Sequence, residues 1–276
     1  MVNNQKNDFE SFRKYLIEEE KSKNTVEKYI RDVKNFLFWL SSGEICKNSV
    51  IEYKSELLKS YAVRSVNSML ASVNCFLEFL GKDECKVKAV KLQAQVFSPK
   101  EKELSRTEYI RLVKASEKNM RLNLIIQTIC ATGIRVSELE YITVEAVGKG
   151  EATVSSKGKI RKVFIVKALR KKLLDYVKNQ KIYSGAVFIT KSGKSVNRTN
   201  IWREMKSLCK NAGVSDKKVF PHNLRHLFAR EFYSAEKDIA KLADILGHSS
   251  INTTRIYIIT TSDEHMRRIE KMKLVI

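Results

Sequence analysis

The sequence predicts a mainly α-helical protein with two domains: an N-terminal four-helix bundle and a larger, mostly helical α+β domain with a small antiparallel sheet. Three observations support this fold class. Apolar residues recur at helical spacing over most of the chain, and the alternation typical of strands is concentrated near residues 152–166. The 276 residues are also enough for two domains with their own cores.

Four apolar stripes at helical spacing occupy the N-terminal part of the chain. The second runs over residues 26–40 and the fourth over 63–80, where Gly81 is placed to end the helix. Such stripes must bury one another, so residues 1–81 are predicted to form a helical bundle. Residues 82–98 alternate lysines with small apolar residues. They predict an extended basic linker that lets two domains close around a ligand, or else a solvated loop without that role.

The second domain is predicted over residues 99–276. A capping-box pattern at Ser105 opens its first helix, and the very apolar helix ending at Thr132 is stopped by Gly133. Alternating residues predict a hairpin of strands 152–156 and 161–166, and a further short strand at 186–189. Other helices are predicted at residues 168–180, 197–212, 222–234, 237–246, 250–258 and 262–273.

Charge is concentrated in the second domain. The formal net charge is +21 and the pI about 9.7. Residues 1–96 contain 16 Lys and Arg against 13 Asp and Glu, whereas residues 97–276 contain 36 against 18. Such a surface attracts a polyanion, so a nucleic-acid partner is predicted. A lysine-rich protein without such a partner is the alternative.

The cysteines and the apolar segments indicate the compartment. Five widely spaced cysteines match no metal-ligand spacing, which predicts reduced thiols without disulfides or zinc. The start of the chain has no apolar signal segment, and no stretch approaches 18 uncharged apolar residues. We therefore expect a soluble, cytoplasmic protein without a membrane partner.

The last quarter of the chain contains residues suited to a phosphodiester. His222 and Arg225 are spaced to lie on one helix face, and His248 follows a glycine that ends a helix. Arg135 is placed at a helix N-terminus, where free backbone donors favour an anion. A guanidinium binds phosphate oxygens, an imidazole moves protons near neutral pH, and the oxygen of Tyr257 can become a covalent link.

The order of these motifs resembles that of the tyrosine recombinase (phage integrase) family. They are Ala-Thr-Gly-Ile-Arg-Val-Ser-Glu-Leu at 131–139, a lysine hairpin, His222-x-x-Arg225-His226, Leu-Gly-His-Ser at 246–249, and Tyr257. The resemblance spans the second domain, the catalytic domain of that family, and the bundle resembles the family's core-binding domain. It implies a site-specific recombinase that cuts and rejoins DNA through a 3′-phosphotyrosine, without metal or cofactor. The alternative is a non-catalytic, site-specific DNA-binding protein on the same fold.

The resemblance also implies a role for each site residue. Tyr257 would be the nucleophile, Arg135 and Arg225 would clamp the phosphate, and His222 would take or relay the tyrosine proton. The remaining members are His248, a hydrogen-bond donor to a non-bridging phosphate oxygen, and Lys157, the general acid, for which Lys159 is the alternative.

Three further residues have expectations of their own. Glu138 either orients a catalytic group or has a simple capping or surface role. His226 is expected to be a cap or core partner that faces the helix packing, and His265 to be a surface residue.

The implied partners are double-stranded recombination sites and three further copies of the chain, in a homotetrameric synaptic complex, with an accessory or directionality factor as a further candidate. The protein would be prokaryotic and DNA-associated. Its C-terminal helix, which contains the apolar residues Met266 and Ile269, would pack onto a neighbouring protomer or fold back onto its own domain. Integration, excision, inversion and dimer resolution use the same chemistry, so the sequence does not choose among them.

Overall fold

The computed structural model describes residues 2–41, 43–91, 103–156, 159–190, 192–258, 266 and 270–271. The chain divides into two compact units, Met1–Ala94 and Gln95–Ile276. The prediction of a mainly helical protein with one small antiparallel sheet is confirmed. Across these described ranges, no helix combines the length and the apolar character that a membrane crossing requires.

The first unit contains the four predicted helices. They are α1 (Val2–Glu18), α2 (Lys23–Leu40), α3 (Lys47–Ser60) and α4 (Val63–Phe79). Ser22 caps α2 by accepting a hydrogen bond from the Thr25 amide. The apolar stripes meet in a core where the ring of Phe12 packs edge-on against Phe76 at 5.1 Å.

Two asparagines of α4 hold the chain segment that follows it. The side chain of Asn74 donates to the Val87 carbonyl at 2.8 Å and accepts from the Val87 amide at 3.0 Å. Asn67 makes the same pair of bonds with Val90, at 2.9 and 2.8 Å. The prediction of an extended linker is wrong at Asp83–Cys85, which form a 3₁₀ helix, whereas residues 86–91 are held against the bundle by these bonds. Residues 92–98 lie outside the described residues.

The second unit is built around a buried helix, Met120–Thr132. The helices of this unit are α5 (Arg106–Ala115), α6 (Met120–Thr132), α7 (Val144–Lys149), α8 (Lys167–Asn179), α9 (Arg198–Ser207), α10 (Cys209–Ala212), α11 (Pro221–Glu236), α12 (Ile239–Leu246) and α13 (Ile251–Ile258). The apolar sequence of α6 predicts burial, and Leu124, Ile126 and Ile129 are fully buried at the core. The capping box at Ser105 is also present, with Glu108 as its partner.

The antiparallel hairpin is present as predicted, but its second strand starts and ends two residues earlier than the predicted 161–166, and two other elements also differ from the sequence prediction. Strand β1 (Glu151–Ser156) pairs antiparallel with β2 (Lys159–Phe164). The strand predicted at 186–189 is wrong, because its ends form only isolated bridges with single residues. The helix predicted at 197–212 is interrupted between α9 and α10, where the Ser207 hydroxyl donates to the Glu204 carbonyl and competes with the backbone bond. The helix predicted at 262–273 lies outside the described ranges, apart from three single residues.

Candidate active site

Arg225 is buried on α11 and joins the C-terminal ends of two other helices. Pro221 occupies the first turn of α11, where its missing N–H leaves no intrahelical bond unmade. The Arg225 side chain is 1% exposed; its Nη1 donates to the Gly133 carbonyl at 2.5 Å and its Nη2 to the Leu246 carbonyl at 2.7 Å. Burial and the Arg135 charge lower the pKa of Arg225 to about 10, so it stays charged at neutral pH.

Two glycines bend the backbone on either side of Arg225. Gly133 ends α6 at a φ of 66°, and a Cβ there would lie 2.5 Å from a ring carbon of Phe228 on α11. Gly247 ends α12 at a φ of 65°, and a Cβ there would lie 2.7 Å from the Arg161 side chain. Only glycine adopts this conformation without strain and leaves that space. The bends bring Arg135 and His248 to the same place as Arg225.

A buried carboxylate holds two further arginines. Glu138 is 2% exposed and accepts from the Arg135 amide at 2.9 Å and from the Arg135 Nη1 at 2.8 Å. It also accepts from the Nη1 and Nη2 of Arg161, at 3.1 and 2.8 Å, while the Arg161 Nε donates to the Ile245 carbonyl at 3.1 Å. Glu138 thus caps the 3₁₀ helix Val136–Tyr141 and also orients Arg135, and it is not a surface residue.

The charge of Glu138 is maintained by these partners. Burial alone raises the pKa of its carboxyl, but the hydrogen bonds from Arg161 and from the Arg135 amide and guanidinium lower it to about 2. The same carboxylate therefore connects the hairpin strand β2, which carries Arg161, to the 3₁₀ helix that follows Arg135. Through Arg161, it also connects both of them to the end of α12.

Replacing Glu138 by alanine is expected to lower the free energy of unfolding by about 3–5 kcal/mol, because the substitution leaves the guanidinium of Arg161 buried without a counter-charge. The Arg161 side chain is only 11% exposed. Urea unfolding measures the change, and Glu140→Ala, at an exposed position of the same 3₁₀ helix, is the matched control with an expected change within about 0.5 kcal/mol. Equal losses in the two variants would contradict the prediction.

His248 is held between α11 and α13. Its Nε2 lies 3.0 Å from the Arg225 Nη2, and its Nδ1 lies 2.8 Å from the hydroxyl of Thr254, which is completely buried. Burial lowers the pKa of the imidazole to about 4, and the charges of Arg225 and Arg135 act in the same direction. The ring is therefore neutral at physiological pH.

The ring of Tyr257 lies among three histidines. Its hydroxyl is 3.4 Å from the His222 Nε2, and its ring is stacked on His226 at 4.2 Å between centroids, with 24° between the planes. His248 is on another side, at 5.1 Å. The stacking on Tyr257 agrees with the expectation that His226 is a packing partner, since it is half-buried and its ring packs on α13; the i, i+4 spacing also places it beside His222. In this conformation Tyr257 is 6% exposed.

The two half-buried histidines predict how stability depends on pH. Burial lowers the pKa of His226 to about 3 and that of His248 to about 4, whereas the pKa of a histidine in an unfolded chain is about 6.5. Between about pH 6.5 and 4 the unfolded state binds more protons, so stability is full above this window and is lost as the pH falls. His226→Phe, which keeps a ring against Tyr257, should make this loss shallower by up to about 1.4 kcal/mol per pH unit. Urea unfolding between about pH 7.5 and 4.5 measures how steeply the free energy of unfolding falls with pH in the wild type and in His226→Phe. Equal slopes in the two proteins would contradict the prediction.

A cleft of about 670 Å³ opens beside these residues. Arg135, His222 and Arg225 line it together with Arg198 and Trp202 at α9, and none of the described residues that line it is acidic. His222 faces solvent there, yet the burial of its ring atoms and the charges of Arg225 and Arg135 lower its pKa. A neutral imidazole and three guanidiniums thus meet at one opening, which suits an anion such as phosphate.

Comparison with known families covers both units. The model of the Phage integrase family matches residues 102–264, and that of the phage integrase N-terminal SAM-like domain matches residues 9–84. The chain belongs to the tyrosine recombinase (phage integrase) family. As a member of this family, it acts in site-specific DNA recombination.

Individual tyrosine recombinases are similar to this chain over almost its full length. Tyrosine recombinase XerA of Thermococcus kodakarensis is 30% identical over 277 residues, covering 96% of this chain and 95% of the relative. A crystal structure of XerA recombinase aligns with a TM-score of 0.55 at 25% identity, over 99% of this chain and 100% of that one. A lambda integrase tetramer bound to a Holliday junction aligns with a TM-score of 0.73 at 17% identity, over 92% and 76% of the two chains, and shows the same fold.

The structure brings together five of the six site residues predicted for a tyrosine recombinase: Arg135, His222, Arg225, His248 and Tyr257. The sixth, Lys157, lies outside the described residues, and for Lys159 only the backbone at the start of β2 is described.

Three side chains make contacts at or beside this site that the sequence did not predict: His226 with Tyr257, Thr254 with His248, and Arg161 with Glu138. His226 had a signal, its i, i+4 spacing from His222. Thr254 had only a weak one, its i, i+3 spacing from Tyr257 on a short helix. Arg161 had none, because its partners Glu138 and Ile245 are distant in sequence.

Proposed function

We propose that this chain cuts and rejoins DNA through a covalent 3′-phosphotyrosine formed at Tyr257. The observation that carries the proposal is the position of the Tyr257 hydroxyl, 3.4 Å from the His222 Nε2 and on the same site as the buried Arg225. A phenol becomes a nucleophile when a nearby base takes its proton. The neutral imidazole of His222 is such a base.

Arg135 and Arg225 stabilise the phosphate during the attack. Negative charge accumulates on the phosphate oxygens as the fifth bond forms, and preorganised donors stabilise it best. Arg225 is already fixed by two carbonyls and interacts with the Tyr257 side chain, so its guanidinium is in position before a phosphate arrives. Glu138 orients Arg135 in the same way.

The 5′-oxygen leaves as a hydroxyl after it receives a proton, and we assign this proton to Lys157 at the hairpin turn, with Lys159 as the alternative. The hairpin is suited to this task because Arg161 ties β2 to the end of α12, next to His248. His248 would donate to a non-bridging phosphate oxygen. The phosphotyrosine retains the energy of the broken bond, so a 5′-hydroxyl from a partner strand can reverse the attack and complete the exchange.

The partners follow from charge and from the relatives. Residues 97–276 carry twice as many basic as acidic residues, 36 against 18, which suits duplex DNA. We propose a core-binding role for the first unit, a catalytic role for the second, and assembly of four copies on paired sites, as in the lambda integrase tetramer on a Holliday junction. Integration, excision, inversion and resolution all remain open to such an enzyme.

The proposal is tested by capturing the covalent intermediate. Genomic fragments that remain attached to the protein in SDS identify the recombination site, and a nicked duplex of that site then traps the adduct because the released strand diffuses away. Digestion and mass spectrometry should find the nucleotide on the peptide that contains Tyr257, linked through its 3′-phosphate. An adduct on another residue, a 5′-linked adduct, or none at all would contradict the proposal.

A further inference from the structure

His248 has two hydrogen-bond partners of different kinds. On one side, its Nε2 is 3.0 Å from the Arg225 Nη2, and on the other, its Nδ1 is 2.8 Å from the Thr254 Oγ1. Thr254 lies on α13 with an exposure of 0%, so no solvent competes for its hydroxyl. The charged or titratable groups that face the ring from the surrounding elements are Arg225, Arg135, Arg161, His222, His226 and Tyr257.

These partners determine where the imidazole proton lies in the DNA-free protein. A guanidinium has only donors, so the Nε2 that faces Arg225 must offer its lone pair. In a neutral ring the proton is then on Nδ1, from which it is donated to the Thr254 oxygen. Burial and three arginines lower the pKa of His248 to about 4, in agreement with a neutral ring.

This tautomer is the opposite of the one that a phosphate requires. If His248 donates to a non-bridging phosphate oxygen, as the proposed function states, its Nε2 must carry the proton, because a lone pair would repel the anion. Because His248 is only half-buried, its ring exchanges protons with solvent when the contact to Thr254 opens transiently: it releases the Nδ1 proton and takes one up at Nε2, with no net change in charge. Nδ1 becomes an acceptor and needs a donor in the same position.

We propose that Thr254 is a positioning residue that reverses its hydrogen bond with His248 when a phosphate enters the site. A hydroxyl both donates and accepts, so it can serve the two tautomers without moving. It accepts from Nδ1–H in the free protein, and it donates to Nδ1 once Nε2–H is bonded to phosphate. A carbonyl or an ammonium at this position could serve only one of the two states. The inference rests on the proposed role of His248 at the phosphate.

The tautomer can be observed directly by nitrogen NMR. The chain has only four histidines, so ¹⁵N-histidine labelling gives few signals, and His248→Gln assigns one pair by its loss. We expect a neutral ring protonated on Nδ1 in the free protein, and a neutral ring protonated on Nε2 after titration with inorganic phosphate. An Nε2-protonated ring in the free protein, an Nδ1-protonated ring that persists with phosphate, or a doubly protonated ring would overturn the inference.

Matched variants test the same switch in the reaction. Thr254→Ser keeps the hydroxyl and should form the covalent DNA adduct within a few-fold of the wild-type rate. Thr254→Val keeps the shape but removes the hydroxyl, and should be slower by about 10- to 100-fold with unchanged DNA retention. Thr253→Val, at the exposed neighbouring position, controls for the added methyl group.

The two proposals fail in different ways. A wild-type protein that forms no adduct contradicts the proposed function, whereas the tautomer in the free protein can still be measured. A Thr254→Val protein that forms the adduct as fast as the serine variant contradicts only the role of Thr254.

Discussion

Tyr257→Phe is expected to abolish covalent capture of DNA while folding and DNA binding remain unchanged. Phenylalanine keeps the ring that stacks on His226 but lacks the oxygen that would attack phosphorus. The loss of a nucleophile typically lowers the rate by on the order of 10⁴-fold or more. The hydroxyl lies 3.4 Å from the His222 Nε2 and also interacts with the Arg225 guanidinium, so we expect the free energy of unfolding to fall by no more than about 1.5 kcal/mol.

The measurement is the rate of adduct formation on the nicked duplex in a single turnover, together with retention of the intact site on a gel. Tyr183→Phe is the matched control, because Tyr183 belongs to the same unit and is 83% exposed. That variant should react at the wild-type rate. An adduct that persists in Tyr257→Phe, or a loss of DNA retention in this variant, would contradict the assignment of the nucleophile.

Local rules predict the backbone positions that carry the site. Gly133 and Gly247 end helices with positive φ values, and Pro221 starts one. Each is a position where one residue type has a specific backbone preference, so the bends that place Arg135 and His248 were predictable. The convergence of distant segments was predictable only from the order of motifs in a known family.

Contacts between distant segments were not predictable. Arg161 meets Glu138 and the Ile245 carbonyl only because the hairpin packs against the end of α12, and nothing in the alternation of β2 distinguishes it from other basic residues. The same holds for Asn67 and Asn74, whose spacing of seven residues became meaningful only once Val87 and Val90 lay beside them. A side chain that bonds to a distant main chain has little signal in sequence, because any residue can supply the partner carbonyl.

Arg225→Lys is expected to slow adduct formation by about 100- to 1000-fold although it preserves the positive charge. The guanidinium donates in two directions at once, to the Gly133 and Leu246 carbonyls, and its planar fork also matches phosphate oxygens. A lysine ammonium is a single point of charge and cannot hold both carbonyls in the same geometry. One buried carbonyl then lacks a donor, so the free energy of unfolding should fall by about 1–3 kcal/mol.

Arg121→Lys separates the loss of the clamp from the general cost of replacing an arginine that donates to a main-chain carbonyl; the Arg121 side chain is 26% exposed and also pairs with Glu204. Arg121 also donates to a main-chain carbonyl, that of Ile189 at 3.2 Å, and also has a buried Nε without a described partner, but it does not line the cleft. The free energy of unfolding of this control should fall by no more than that of Arg225→Lys, and the control should react within a few-fold of the wild-type rate. DNA retention should change by less than about tenfold in both variants, because one phosphate contact among many is altered and its charge is kept. If Arg225→Lys cleaved as fast as Arg121→Lys, the buried guanidinium would be a structural strut between α6 and α12, and the phosphate clamp would have to be assigned to Arg135 alone.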